Sequence, residues 1–270
     1  MGLVLRPLEG AADYAACVAL QRRTWGESFA EVVPPSLLMV TQEMGGIASG
    51  AFDGDRLVGF VFGISGLRDG RPAHWSDMLA VEPAHQGRGV GRLLKLHQRE
   101  RLLALGIDRV LWTFDPLVAR NAHLNLNRLG AIARTYRRNA YGESDSPLHA
   151  GIGTDRLLAE WELDSARVHR RIAGADPGAA TEEGPLVAPP EPGDPFPRPG
   201  GLRPEPGAPR VRVAIPADIQ ALKAADPALA GAWRRSVREG LEWAFGAGYV
   251  AVALGGATDG VAAYTLTRGF

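Results

Sequence analysis

Cysteine is almost absent from this 270-residue chain. Cys17 stands alone, which excludes an internal disulfide and any metal site built on several thiolates. Lysine is nearly as scarce, with only Lys95 and Lys223, so arginine supplies the rest of the 30 positive charges. Those are matched by 30 carboxylates, and a formal net charge of zero offers no basic surface for nucleic acid or an anionic membrane. No apolar run is long enough to span a bilayer, and the opening Met1-Gly2-Leu3-Val4-Leu5-Arg6 lacks a signal-peptide core, so a cytoplasmic protein is expected. His74, His85, His97, His123, His149 and His169 show no paired metal-ligand spacing, and no metal is expected. A G-x-S-x-G elbow and a catalytic cysteine context are both missing, which argues against a protein nucleophile.

What the chain does have is a glycine-bearing turn between a strand and a long helix. The strand reads His74-Trp75-Ser76-Asp77-Met78-Leu79-Ala80-Val81, the turn Gln86-Gly87-Arg88-Gly89-Val90-Gly91, and the helix runs from Arg92 toward Leu105. Glycines let the backbone turn sharply, and a helix start presents free N–H groups and the positive end of its dipole, so the combination suits a pyrophosphate. Spacing separates the phosphate-binding motifs. A dinucleotide fingerprint needs a third glycine where Arg92 or Leu94 stands, and a Walker loop needs Lys-Ser/Thr where the chain has Arg92-Leu93. What remains is Gln-x-x-Gly-x-Gly after Leu-Ala-Val, which resembles the acyl-CoA loop of the GNAT N-acyltransferase superfamily; an ordinary glycine-rich strand-to-helix turn is the bland alternative.

The order of elements carries the resemblance further. Residues 4–6 read as a strand, 13–25 and 36–44 as helices, and 47–52 and 56–63 as strands joined by Asp53-Gly54-Asp55. A looser loop through Arg68-Asp69-Gly70-Arg71 leads to the central strand. After the long helix come a strand over 109–114 broken by Asp115-Pro116, a helix over 120–129, a strand over 131–136, a loop over 138–153 and a strand over 155–163. The fold class expected is α/β (α+β), a GNAT-type mixed, mostly antiparallel sheet flanked by helices, with central strands splayed near Asp115-Pro116 and a small C-terminal α/β extension.

Three regions are expected: residues 1–164 as the acyltransferase domain, 165–209 as a short helix and a Pro/Gly-rich linker, and 210–270 as the extension. In the extension Leu229, Trp233, Val237 and Leu241 fall four apart on one helical face, with Arg234, Arg235, Arg238 and Glu239 turned away. So short a unit is marginal alone and is expected to dock on the first domain or on a second subunit, the latter giving a homodimer.

The resemblance also implies site residues. Leu79, Ala80 and Val81 would flank the pantetheine and thioester, and Gln86, Gly87, Arg88, Gly89, Val90, Gly91 and Arg92 would hold the pyrophosphate, chiefly through backbone N–H groups. Asp77 is the candidate base, placed by strand alternation on the face of Leu79 and Val81, where some family members carry a histidine four residues before that valine; a solvated or salt-bridged strand residue is the alternative. The chain departs from the family at the general acid, because Leu126 stands four residues before Gly130 where many members have tyrosine, and Ala131 replaces the aromatic that follows. Tyr136 or Tyr141 is the expected replacement, if the thiolate does not leave unaided. Asn121 and Asn125, four apart, are placed to hydrogen-bond pantetheine amides or to serve as caps. Phe114-Asp115-Pro116-Leu117, Arg120-Asn121-Ala122 and Thr154-Asp155-Arg156-Leu157 look like a GNAT subgroup with a C-terminal extension, some relatives of which are linked to N-succinylation of amino acids. On that footing Arg156 would pair with a substrate carboxylate.

These readings lead to an N-acyltransferase using acetyl-CoA or another acyl-CoA, succinyl-CoA included, on a small-molecule amine such as an amino acid. An acyl-CoA sensor or assembly module without turnover, and a protein or peptide acetyltransferase, are the alternatives.

Overall fold

The computed structural model describes residues 2–142, 152–175 and 183–269. It divides into two compact units, Met1–Trp112 with Glu162–Asp164, and Thr113–Trp161 with Ser165–Phe270. Among the described residues no helix is long and apolar enough to cross a membrane.

The first unit contains β1 (Val4–Pro7), α1 (Gly10–Trp25), α2 (Pro35–Glu43), β2 (Ile47–Asp53), β3 (Arg56–Arg68), β4 (Arg71–Val81), α3 (Val90–Ala104) and the start of β5 (Arg109–Phe114). Its strands run in the order β1-β2-β3-β4-β5, antiparallel except for β4 and β5, which is the mixed, mostly antiparallel arrangement expected. Alternation on β3 assigns the two faces. Phe60 and Phe62 join Cys17 and Leu20 of α1 and Leu38 of α2 in one apolar cluster. A Cβ at Gly59 would instead meet Leu94 of α3 at 3.2 Å, so α3 covers the other face. Helices on both faces explain why β2 is buried almost throughout.

One connection is tighter than expected. The loop read through Arg68-Asp69-Gly70-Arg71 is a two-residue hairpin in which Arg68 pairs with Arg71, extending β3 and β4 toward each other. Asp69 and Gly70 both take positive φ, 53° and 74°, the geometry that matches the twist of the flanking strands.

The second unit contains the end of β5, α4 (Ala119–Ala122), β6 (Ile132–Arg137), β7 (Arg156–Glu162, its last residue counting with the first unit), α5 (Ala166–Ile172), β8 (Arg210–Pro216), α6 (Ile219–Ala225), α7 (Pro227–Gly246), β9 (Val250–Leu254) and β10 (Val261–Thr267). Its strand order is β7-β6-β9-β10-β8. The regular helix expected over 120–129 is instead one turn of α4 followed by a π-helical segment, His123–Arg128. Asn127 accounts for part of that change: its side-chain amide donates to the Leu254 carbonyl at 2.8 Å and accepts from the Leu254 N–H at 2.9 Å, so the helix is clamped to β9.

Ala133 of β6 pairs with Ala251 of β9, so the C-terminal strands share a sheet with β6 and β7. The stretch read as a linker is also packed where it is described, over residues 183–209. Val187 donates to the Arg212 carbonyl at 2.9 Å and is fully buried, Trp233 Nε1 donates to the Pro197 carbonyl at 3.0 Å, and Ser236 Oγ to that of Gly200 at 3.1 Å. A proline-rich strap has few N–H groups to place, so side chains from α7 satisfy its carbonyls. Part of the loop expected over 138–153 and part of the linker lie outside the described residues.

Candidate functional site

The candidate site of the first unit begins at an irregularity in β4. Phe62 pairs with Met78 but Gly63 pairs with Ser76, leaving Asp77 as the extra residue of a β-bulge. The consequence is visible in what each side chain touches. Ser76 accepts a hydrogen bond from Lys95 of α3, whereas Met78 and Ala80 sit in the cluster under α1 and α2. Simple alternation would put Ser76 and Met78 on one face; the bulge puts them on opposite faces. Leu79 and Val81 therefore continue the α3-facing row, and Asp77 is the residue at which the alternation shifts. Asp77 is exposed and accepts from Trp75 Nε1 at 3.2 Å. Partial loss of solvent raises its carboxyl above the usual range, with the Trp75 bond pulling the other way.

Beyond β4 the chain is pinned before it turns. Glu82 is buried and paired with Arg23 of α1 at 3.1 Å and with Arg56 of β3, while its N–H donates to the Val58 carbonyl at 2.9 Å. Gln86, expected to offer its backbone to an anion, is committed elsewhere: its N–H donates to the Pro83 carbonyl at 3.2 Å and its side chain to the Val81 carbonyl at 3.0 Å. It braces the turn. Gly87 and Gly89 follow with φ of 74° and 81°, left-handed values that side chains strain to adopt. Gly89 is the N-cap of α3, with no side-chain cap and no acidic residue in the first turn. The first helical hydrogen bond runs from Leu93 N–H to the Gly89 carbonyl at 3.0 Å, so the helix offers no internal acceptor to the N–H groups of Gly89, Val90 and Gly91. With Val90 buried as an anchor and Arg88 exposed beside it, the turn can receive a polyanion.

β4 and β5 pair only through His74↔Val110 and Trp75↔Leu111 among the described residues, so the strands part just beyond Trp75 and Leu111. Beneath that fork lies a buried polar chain that sequence reasoning missed. Ser65 Oγ meets His74 Nδ1 at 2.9 Å, His74 Nε2 meets the Gln98 amide at 3.0 Å, and Lys95 Nζ donates to Gln98 Oε1 at 3.1 Å and to Ser76 Oγ at 2.7 Å. The ammonium also stands 3.9 Å from the centre of the Trp112 ring. Burial pushes Lys95 down to about 7, and burial together with the charge of Lys95 pushes His74 down to about 3. The one available signal was a lone lysine interrupting the apolar face of α3.

The remaining expected residues lie in the second unit. Tyr136 donates its hydroxyl to Asp155 Oδ2 at 2.7 Å, and Asp155 also accepts from Arg238 at 2.8 Å and from the Asn139 N–H at 2.9 Å. Burial and then this bond push the Tyr136 phenol far above its ordinary range. Tyr141 is 49% exposed, with its hydroxyl 2.7 Å from Thr113 Oγ1 on β5. Asn121 and Asn125 do not share a face: the first is exposed and the second buried, because the π-helical segment between them widens the turn and breaks the four-residue repeat. Arg156, expected as a substrate-binding arm, is buried, donating to the Asp155 carbonyl at 2.9 Å with Asp115 at 3.9 Å. Arg234 and Arg238, read as turned to solvent, face inward. Arg234 makes a two-pronged bond to Asp115, at 2.8 and 2.7 Å, and is 2% exposed. Helical periodicity could not reveal it, because the partner carboxylate stands 119 residues earlier.

Residues 15–130 match the model of the acetyltransferase (GNAT) family. Among solved structures the chain is similar to the ribosomal-protein-S18-alanine N-acetyltransferase from Escherichia coli, with 20% identity and a TM-score of 0.47 over 61% of this chain and 96% of that one. It is similar also to a putative acetyltransferase from Salmonella typhimurium with its cofactor acetyl-CoA, with 18% identity and a TM-score of 0.49 over 61% and 96%. An N-acetyltransferase from Staphylococcus aureus Mu50 gives 13% identity and a TM-score of 0.48 over 60% and 99%. Curated proteins give no match.

Proposed function

We propose, from the match of residues 15–130 to the GNAT acetyltransferase family model, an acyl-CoA-dependent N-acyltransferase that moves an acetyl or other acyl group, succinyl included, to the amine of a small molecule such as an amino acid. The observation that carries this reading is the uncapped start of α3 behind Gly87 and Gly89, whose N–H groups suit a diphosphate.

The first-turn N–H groups of α3, with Arg88 beside them, hold the diphosphate. Backbone from Leu79 to Val81 lines the pantetheine arm, and Ala80 contributes main chain only, its side chain being in the core. The thioester supplies an activated acyl carbon. The acceptor amine attacks it directly, forming the C–N bond and a tetrahedral adduct whose collapse breaks the C–S bond. Asp77, an exposed carboxylate with a raised pKa, takes the proton the amine loses. Main-chain N–H groups of β4 stabilise the tetrahedral oxyanion. The thiolate takes a proton as it leaves, and Tyr141 is the better of the two tyrosines for that role, since Tyr136 is committed to Asp155.

The test is thiol release from acetyl-CoA and succinyl-CoA against a panel of amines. Release with a small amine, alongside heat of CoA binding in calorimetry, is expected. One observation favours a second reading: the helix position where many family members carry tyrosine is Leu126, fully buried. Clear CoA binding with no release for any amine would establish a non-catalytic sensor instead, and release with peptides alone a protein acetyltransferase.

A further inference from the structure

Lys95 is one of two lysines in the chain, and only 4% of it is exposed. A methionine would fill similar volume without the penalty of enclosing an ammonium. Its contacts indicate what the charge does. Ser76 and Trp112 are the residues that immediately follow the last β4–β5 pair, Trp75↔Leu111. Lys95 touches both, donating to Ser76 Oγ at 2.7 Å and standing over the Trp112 ring at 3.9 Å. From α3 itself Gln98 accepts at 3.1 Å, which holds the ammonium at the crotch of the fork. The titratable group facing this chain from β4 is His74, which burial keeps neutral; β5 presents Trp112, and Ser49 of β2 meets His97 at 3.2 Å.

We propose that Lys95 is a positioning residue that clasps Ser76 of β4 to Trp112 of β5 where the strands part, and so sets the gap that receives the pantetheine arm. The clasp is a statement about the first unit alone; its link to pantetheine rests on the acyl-CoA reading above. A neutral amine keeps the Ser76 contact but loses its attraction to the ring, so the clasp loosens as Lys95 loses its proton. With burial placing that proton near pH 7, the change falls in an accessible range.

Two measurements on the full chain test this, with Lys95→Met and, as a milder variant, Ser76→Ala. Amide hydrogen exchange without ligand should be faster in both variants around Ser76 and Trp112, with exchange along α1 and α2 unchanged. Exchange at Ser76 and Trp112 equal to wild type in both variants would overturn the clasp. Calorimetry with CoA from pH 6.5 to 8.5 should show Lys95→Met binding about tenfold weaker than wild type at pH 6.5, with the difference narrowing as pH rises. A difference that stays constant with pH would overturn the role of the charge. Loosened exchange together with no CoA heat from the wild type would leave the clasp standing and overturn its link to pantetheine.

Discussion

Replacing Lys95 by methionine should flatten the pH dependence of stability between pH 7 and 9. Burial lowers the folded pKa of Lys95 from 10.5 to about 7, so between those values the unfolded chain binds a proton that the folded chain excludes. Stability then rises with pH, with a slope approaching about 1.4 kcal/mol per unit. The full penalty, present below pH 7 and gone above 10.5, is at most about 5 kcal/mol. Two other buried groups bracket the window. His74 is lowered from 6.5 to about 3, so it adds stability with rising pH only below 6.5. Cys17 is raised from 9.0 to about 12, so its contribution is lost as pH climbs above 9. Urea titrations of both proteins at pH 7, 8 and 9, followed by tryptophan fluorescence, isolate the lysine. Lys95→Met should be the more stable protein at pH 7, with its advantage shrinking by about 2 to 3 kcal/mol at pH 9. Equal slopes in the two proteins would refute the assignment of a depressed pKa to Lys95.

Gly89→Val should strain the turn by roughly 1–2 kcal/mol at its φ of 81° and weaken CoA binding about tenfold in calorimetry, with the melting of the rest of the chain little changed. Arg234→Met, which strands Asp115 in the interior, should destabilise the second unit by about 3–5 kcal/mol in denaturant titrations, and adding Asp115→Leu should recover much of that loss. Tyr136→Phe should lower stability by about 1 kcal/mol and leave turnover intact, whereas Tyr141→Phe should slow thiol release and leave stability unchanged. Asp77→Asn should reduce turnover by about 100-fold or more with CoA affinity unchanged.

Local rules made most of this fold legible. Glycine and proline punctuation marked α1, α2 and α3 to within a few residues, and the Asp-Gly signal between β2 and β3 gave a true hairpin. The glycine turn was legible because glycine alone reaches φ near 80° without strain, so Gly87 and Gly89 between a strand and a helix point to a tight turn. Where reading failed, the deciding partner was distant in sequence. The π-helical segment at His123–Arg128 depends on Asn127 meeting Leu254, and the strap over 183–209 depends on Trp233, Ser236 and Arg212. Arg234 and Arg238 look like solvent-facing charges on any helical wheel until Asp115 and Asp155 are brought to them.

The failures at β4 are of another kind, because nothing distant is needed to make them. Alternation along a strand holds until a residue is inserted, and the bulge at Asp77 moves every later side chain of β4 to the other face. Lys95 likewise breaks the local rule that a helix face packed on a sheet is apolar, and it does so beside that bulge, through Ser76. A register slip and an enclosed ammonium each weaken a strand-and-helix packing that leucine and even pairing would strengthen. Both fall beside the point where β4 and β5 separate. Departures from local consistency concentrate where a chain gives up stability for a working geometry. Two such departures at one point single out the fork, more than the loops around it, as the place where the proposed acyl transfer would be tested first by mutation.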